Sequence, residues 1–559
     1  MMTSPKASFV IMLFLSVSCF AEFFDAKELT PGLKATGYTV FSSSKGLESF
    51  GLEILGQMKN YTGPGQDLII ARVLGERFNH SNVVAGMSGS PVYINGKLLG
   101  ALSYSFGHFT TEAIAGITPI KNMLGDIQNL PQMGSLANKT VQPIALSLVA
   151  GGLSPNVAKY FGAELSARGL GTPVLAAANV GSGPVKSKAL YPGAPFAAIL
   201  VSGDMDLSCI GTVTWMEGSN FVGLGHPFLQ NGVSELPITG AEIVTTIFGQ
   251  EEPYKMGQPT QVMGVLTSDR SSGVTGIIGK KPRVMPLEVQ VGPKKWHYNI
   301  SRMGKDTLLF ASMALSNSLA MTPEREQGGT YRLKAEVQIL NGSKISYERE
   351  VVGQDLPLEP AAIAVFLEPM ILLQNQDYQK VEFESMKIQV SHSVEVEATR
   401  LVGFRISSQP MPGKSLELVL YHQNWQKKLQ EEHVILKMPD WNFSGAYQIL
   451  ALDRASSLAL EKESSIWSGI STYSDLLNRI NSFPKDTETC FFLKELRTAS
   501  NSLGYNLTDL PISLKETVKD FTAGSEISFN TKATRLGCVD LRSVVTGKVL
   551  KDYGEKRQP

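Results

Sequence analysis

Ser88 lies in the run Gly86-Met87-Ser88-Gly89-Ser90-Pro91, a spacing that suits a nucleophile turn. Acyl transfer by serine needs a chain bent sharply enough to project Oγ, with backbone N–H groups converging where an oxyanion forms. The glycines allow the bend and the close approach, and Pro91 sets the entry into the next extended run. In such a turn the N–H groups of Gly86 and Ser88 are the expected oxyanion donors. The base must come from seven histidines, His80, His108, His226, His297, His392, His422 and His433. His226 has the best setting, in Gly225-His226-Pro227 after an apolar run, which suits an exposed strand end; His80 and His108 flank the serine segment and stay in contention. The acid that would orient the base is unassigned, with Asp67, Glu76, Asp204, Asp206 and Asp269 as candidates. Each residue type also has an ordinary role, since Gly/Ser/Pro clusters make tight turns and most histidines are surface or satisfied core residues.

The elements around the serine narrow the chemistry. Asn82-Val83-Val84-Ala85 precedes it, and Val92-Tyr93-Ile94 and Lys97 to Leu102 follow as two strands joined by an Asn95-Gly96 hairpin turn. A serine between β-elements is not the strand-to-helix elbow of α/β-hydrolases. The template left is a β-barrel serine protease.

The runs Val84-Ala85-Gly86-Met87-Ser88-Gly89-Ser90-Pro91-Val92 and Asn95-Gly96-Lys97-Leu98-Leu99-Gly100-Ala101 resemble the serine segment of the SpoIVB-type serine peptidases. Gly211-Thr212-Val213-Thr214-Trp215, followed by Phe221-Val222-Gly223-Leu224-Gly225-His226-Pro227-Phe228, is similar to that family's histidine segment. The resemblance covers roughly residues 30 to 290, about half the chain. It implies Ser88 as nucleophile, His226 as general base and a protein or peptide substrate. In the family the histidine precedes the serine; here it follows, which implies permuted or exchanged barrel halves. The family's aspartate shortly before the serine is missing from Ala71-Arg72-Val73-Leu74-Gly75-Glu76.

Composition sets outer bounds. A chain of 559 residues, 43% hydrophobic and 18% charged, predicts a folded protein of three or four domains. With 51 basic and 51 acidic residues its formal net charge is zero, so nothing favours nucleic acid as a partner. The 52 glycines and 29 prolines, spread throughout, suit many short strands and turns. Lys6, the apolar Ala7 to Val17 and Cys19-Phe20-Ala21 read as a signal peptide over 1–21, and hence as export to the periplasm, cell envelope or medium. No later run is long and apolar enough for a membrane span. Cys209, Cys490 and Cys538 are too sparse for a disulfide scaffold, although Cys490 and Cys538 can pair in an oxidising compartment. No CxxC, HExxH or phosphate-binding loop is present, so no metal or organic cofactor is expected.

The expected architecture is mainly β. A serine-bearing half-domain spans 22–150 and a histidine-bearing half-domain 151–295, together a chymotrypsin-like two-barrel region in permuted order. An immunoglobulin-like β-sandwich over 296–440 offers an envelope protein partner a surface, and a mixed α/β region covers 441–559. Helices are expected over Ala113 to Leu124, Ser154 to Phe161, Ser474 to Ile480 and Phe492 to Leu503, with a frayed basic tail at Lys548 to Arg557. Two rival functions stand beside the protease: an inactive protease-like envelope binding protein, and an esterase using the same Ser/His pair.

Overall fold

The computed structural model describes residues 22–106, 112–127, 141–176, 189–322, 328–353, 359–441, 447–464, 470–495, 500–502, 505–507 and 533–553. The signal segment 1–21 and His108 lie outside the described residues. The chain is mainly β. No helix among the described residues is long and apolar enough to cross a membrane.

Seven strands form the first sheet: β1 (Lys34–Ser42), β2 (Gly46–Gly63), β3 (Gln66–Leu74), β4 (Pro91–Ile94), β5 (Lys97–Phe106), β6 (Ile114–Pro119) and β7 (Val141–Pro143). Their order is β4-β1-β2-β3-β6-β5-β7, and an added β4–β5 pairing closes the first six into an antiparallel ring. Alternate residues of these strands point inward, so Leu52, Ile54, Ile69, Ala71, Val73, Val92, Leu102 and Ile117 make one core. Each fully buried Leu or Ile there contributes about 1.5–3 kcal/mol. The β4–β5 hairpin turns on Asn95 and Gly96, both at positive φ (51° and 77°), as an Asn-Gly turn requires. Ala113 to Leu124 divides at Pro119: the first part is β6, paired with β3 and β5, and only Ile120–Ile127 (α1) is helical.

The second sheet has thirteen strands. Around its centre lie β8 (Ser147–Gly151), β9 (Val174–Ala176), β10 (Pro195–Gly203), β11 (Asp206–Glu217), β12 (Asn220–Gly223), β13 (Gly232–Ile247), β14 (Tyr254–Arg270) and β15 (Gly273–Ile278). It continues through β16 (Val284–Val291), β17 (Lys294–Ser301), β18 (Gly329–Ile339), β19 (Lys344–Gly353) and β20 (Phe383–Ser393). Within it β10-β13-β14-β15-β12-β11 closes through a β10–β11 pairing, giving a second antiparallel ring of six. Read from β13, this ring has the cyclic order of the first with its two three-strand halves exchanged along the chain.

Helix α2 (Pro155–Ser166) starts at Pro155 after Ser154, as the sequence suggests, although the Ser154 side chain caps nothing. Helices α3 (Asp306–Ala320) and α4 (Pro360–Gln374) are buried on most sides through Phe310, Met313, Leu315, Phe366 and Met370. They separate the strands of 296–440, which therefore do not form one sandwich: β16 to β20 extend the second sheet. A pair of four-stranded sheets comes later, one from 398–406, 415–424, 429–437 and 544–546, the other from 447–452, 488–495, 533–540 and 548–553. They share a core in which Leu418, Leu420 and Leu436 meet Ile449, Phe491 and Leu493. Cys490 and Cys538 form a disulfide between paired strands of the latter sheet. Tyr473–Asn481 is helical as expected. Phe492 is in the strand Glu488–Glu495 instead, its apolar run buried by pairing on both edges. Lys548–Tyr553 likewise pairs as a strand and is not frayed.

Candidate functional site

The serine turn hangs between β3 and β4 of the first ring. The segment before it is stitched to the second ring: Asn82 N–H donates to Gly249 O (3.1 Å), Ala85 N–H to Pro253 O (2.7 Å) and Lys255 N–H to Ala85 O (3.0 Å). Gly89 has φ 94°, and a Cβ there would lie 1.9 Å from Thr212 O and 2.6 Å from Leu224 N. Only glycine fits so close an approach. From β11, Thr212 Oγ1 donates to Gly86 O (2.9 Å), Thr212 N–H to Ser88 O (2.8 Å) and Thr214 Oγ1 to Gly89 O (2.8 Å). The turn that belongs to the first ring is thus held by a strand of the second.

The Gly-His turn mirrors this arrangement. It joins β12 to β13, with Leu224 at φ 65° and Gly225 at φ 74°. A Cβ on Gly225 would meet Ala101 Cβ at 2.7 Å and Ser103 Cβ at 2.9 Å, both on β5. Thr118 Oγ1, at the end of β6, donates to Gly225 O (2.6 Å) and shares a hydrogen bond with Ser103 Oγ (2.7 Å). The structure therefore brings the Ser88 and His226 segments together, since Gly89 abuts Leu224, two residues before His226.

Both expected reactive side chains are buried, Ser88 at 0% and His226 at 1% exposure, so the strand end carrying His226 is not exposed as the sequence suggested. His226 Nδ1 lies 2.7 Å from Pro227 O. A carbonyl only accepts, so Nδ1 carries the proton and Nε2 is left as the basic nitrogen. Nε2 has no hydrogen-bond partner among the described residues, and neither has Ser88 Oγ. Burial lowers the imidazole to about 4, against the smaller opposing effect of the Pro227 carbonyl. The Tyr104 ring stands edge-on to the imidazole at 6.3 Å, and burial raises its phenol to about 12.

The two expected oxyanion donors differ. Gly86 N–H donates to Ala145 O (3.3 Å), while Ser88 N–H meets no acceptor among the described residues. None of the five candidate acids bonds the imidazole. Asp67 accepts from Gln57 Nε2 and Asn60 N–H in the β2–β3 hairpin. Glu76 is exposed in the short helix Glu76–Phe78. Asp204 accepts from His297 N–H, and Asp206 from Gly203 N–H, at the β10–β11 turn. Asp269 comes nearest in role: buried on β14, it accepts from the N–H groups of Phe228 (2.7 Å), Leu229 (2.7 Å) and Asn231 (3.1 Å), fixing the loop that leaves His226. Burial raises its carboxyl, and those backbone N–H groups oppose the rise. His80 is exposed, just beyond the Glu76–Phe78 helix.

Sequence reasoning missed Lys255, wholly buried on β14, whose Nζ donates to Thr39 Oγ1 (2.7 Å) and Thr212 Oγ1 (3.4 Å). Its one signal is parity: Lys255 and Gly257 alternate inward on a strand whose Tyr254 and Met256 are half-buried. A cleft of about 360 Å³ borders the turn, lined by Ala85, Ala145, Tyr254, Glu251 and Glu252 among others. Comparisons with family models, with curated proteins and with solved structures give no match.

Proposed function

We propose that the two rings carry a serine hydrolase site, with Ser88 as nucleophile and His226 as general base. Within that class the reading is an exported serine endopeptidase of the SpoIVB type on a permuted, chymotrypsin-like pair of barrels. The supporting observation is the convergence of a serine turn and a Gly-His turn, each gripped by the opposite ring, with Ser88 Oγ and His226 Nε2 both lacking a partner among the described residues. Buried polar atoms are normally satisfied, and functional sites are where exceptions gather.

In the reaction, His226 Nε2 takes the Ser88 proton as Oγ attacks a peptide carbonyl, then returns it to the leaving amine. Ser88 N–H stabilises the oxyanion, joined by Gly86 N–H once it releases Ala145 O. The Pro227 carbonyl holds the tautomer, a task often given to a carboxylate. Because both reactive atoms are buried, substrate entry requires the turns to part, and the cleft beside Ala85 and Ala145 offers the approach. The test is labelling by a fluorophosphonate probe of the native protein and of Ser88→Ala. Labelling lost in the variant supports the assignment; equal labelling defeats it.

That burial, with no carboxylate on the imidazole, favours a second reading, a protease-like envelope protein that binds through its C-terminal pair of sheets. Native protein that never labels, yet retains a partner, would support it. An esterase would label at Ser88 and turn over simple esters while leaving peptides intact.

A further inference from the structure

Lys255 sits under the serine turn with no counter-ion among the described residues. Its elements are β14, on which it stands, with β1 and β11 receiving its Nζ and Ser147 of β8 donating Oγ–H to its carbonyl (2.6 Å). Its Cδ would lie 3.2 Å from a Cβ on Gly86, whose φ is 90°. The groups on the surrounding elements that can carry charge are Lys34 and Tyr38 on β1, Asp206, Cys209 and Glu217 on β11, Glu235 and Glu242 on β13, Tyr254, Asp269 and Arg270 on β14, and His226 beyond β12. None of them acts on its ammonium, and burial alone lowers it to about 7. An uncompensated buried cation costs stability, and such local violations mark residues kept for function.

Resting on the serine-hydrolase reading, we propose that Lys255 is a positioning residue that aims the Ser88 N–H. Gly86 O can only accept, so Thr212 Oγ1 spends its one proton there and receives Lys255 Nζ on a lone pair. Thr212 N–H meanwhile holds Ser88 O. The carbonyls on either side of the Met87–Ser88 peptide are therefore both fixed by Thr212, and Lys255 fixes Thr212. The carbonyl of the peptide that carries the Ser88 N–H, Met87 O, accepts from Ser90 N–H (2.9 Å) and Ser90 Oγ (2.6 Å), and with both neighbouring carbonyls clamped as well that peptide cannot rotate, so its donor stays free for an oxyanion. The sequence places this control some 170 residues after the serine, in the other ring.

The test compares wild type, Lys255→Met, Thr212→Val and Thr212→Ser in the full chain across pH 5.5–9. Fluorophosphonate kinetics separate probe affinity from the acylation rate, and hydrogen exchange reports on the peptide spanning 84–92. Lys255→Met and Thr212→Val should keep probe affinity and acylate about 10–100-fold more slowly, the scale of a misplaced catalytic group. Both should exchange faster at 84–92 while 224–231 is unchanged. Thr212→Ser, which keeps the hydroxyl, should behave as wild type, and the wild-type dependence on pH near 7 should vanish in Lys255→Met. Wild-type exchange at 84–92 in both Lys255→Met and Thr212→Val would overturn the proposal. If wild type never labels, the hydrolase reading fails, and the exchange arm alone decides whether Lys255 sets the turn.

Discussion

Replacing Lys255 by methionine should make the protein more stable at neutral pH, although it removes two hydrogen bonds. The side chain has an ordinary pKa of 10.5 and is lowered by burial to about 7 in the folded chain. The unfolded chain therefore binds the proton more tightly, so wild-type stability rises with pH between about 7 and 10.5. Below 7 the penalty is fully developed. A difference of about 3.5 units at about 1.36 kcal/mol each amounts to roughly 5 kcal/mol. Methionine, similar in length and apolar, escapes that term but strands the buried Thr39 hydroxyl and takes a donor from Thr212 Oγ1, which keeps its bond to Gly86 O, at a total cost of about 1–2 kcal/mol. The net gain expected at pH 7 is about 3 kcal/mol, shrinking to nothing near pH 9. Urea unfolding followed by tryptophan fluorescence and circular dichroism at pH 7, 8 and 9 measures it. A variant less stable than wild type at pH 7, with the wild-type pH slope intact, would refute the claim that Lys255 is an uncompensated buried cation.

The same geometry sets further outcomes. His226, lowered by burial from 6.5 to about 4, stays an unprotonated base down to mildly acid pH. The acid limb of Ser88 labelling should therefore lie near pH 4–5, and a limb at 6.5 would mean that the imidazole works in water. The same depression makes stability fall as pH drops from 6.5 towards 4, by up to about 3 kcal/mol. Gly225→Ala should cost about 2–4 kcal/mol in urea unfolding, from its positive φ and its collision with Ala101 and Ser103. Gly162→Ala, in α2 with open space around it, should cost nothing or stabilise slightly. Cys490→Ser with Cys538→Ser should destabilise the C-terminal pair of sheets by about 4 kcal/mol, from a loop of 48 residues, and leave Ser88 labelling unchanged.

The strands and turns of the serine segment were legible because their signals are local. Asn95-Gly96 demands left-handed φ at both positions, and the runs on either side are apolar enough to be strands. The pairings that make rings of these strands, β1 with β4 and β3 with β6 in the first and β10 with β13 and β12 with β15 in the second, join segments far apart in sequence and leave no local mark. α3 and α4 escaped notice because helices buried on most sides carry no amphipathic period. Alternation in β18 and β20 was real, but it placed β20 beside β16 and β18 beside β20 rather than in a separate sandwich. At the site, residue types named Ser88 and His226, whereas Asp269 was legible only as one acid among five. Its carboxylate serves three backbone N–H groups, a role that no spacing announces. Lys255 left only its strand parity as a mark, because an inward-facing lysine otherwise looks, in a sequence, like any surface lysine.

Reciprocal docking of the two turns makes the site behave as a coincidence detector. A chain emerging from synthesis presents Ser88 well before Thr212, His226, Lys255 and Asp269 exist, and nothing in the first ring alone can complete it. The Ser88 and His226 turns come together only when the later ring closes and lends β11 to the serine turn, while β5 and β6 receive the Gly-His turn. Anything that loosens one ring, whether a truncation, an early stop in folding or a deliberate opening, withdraws support from the motif in the other. On the hydrolase reading, competence is then a report on the assembly of the whole pair, delivered at one serine.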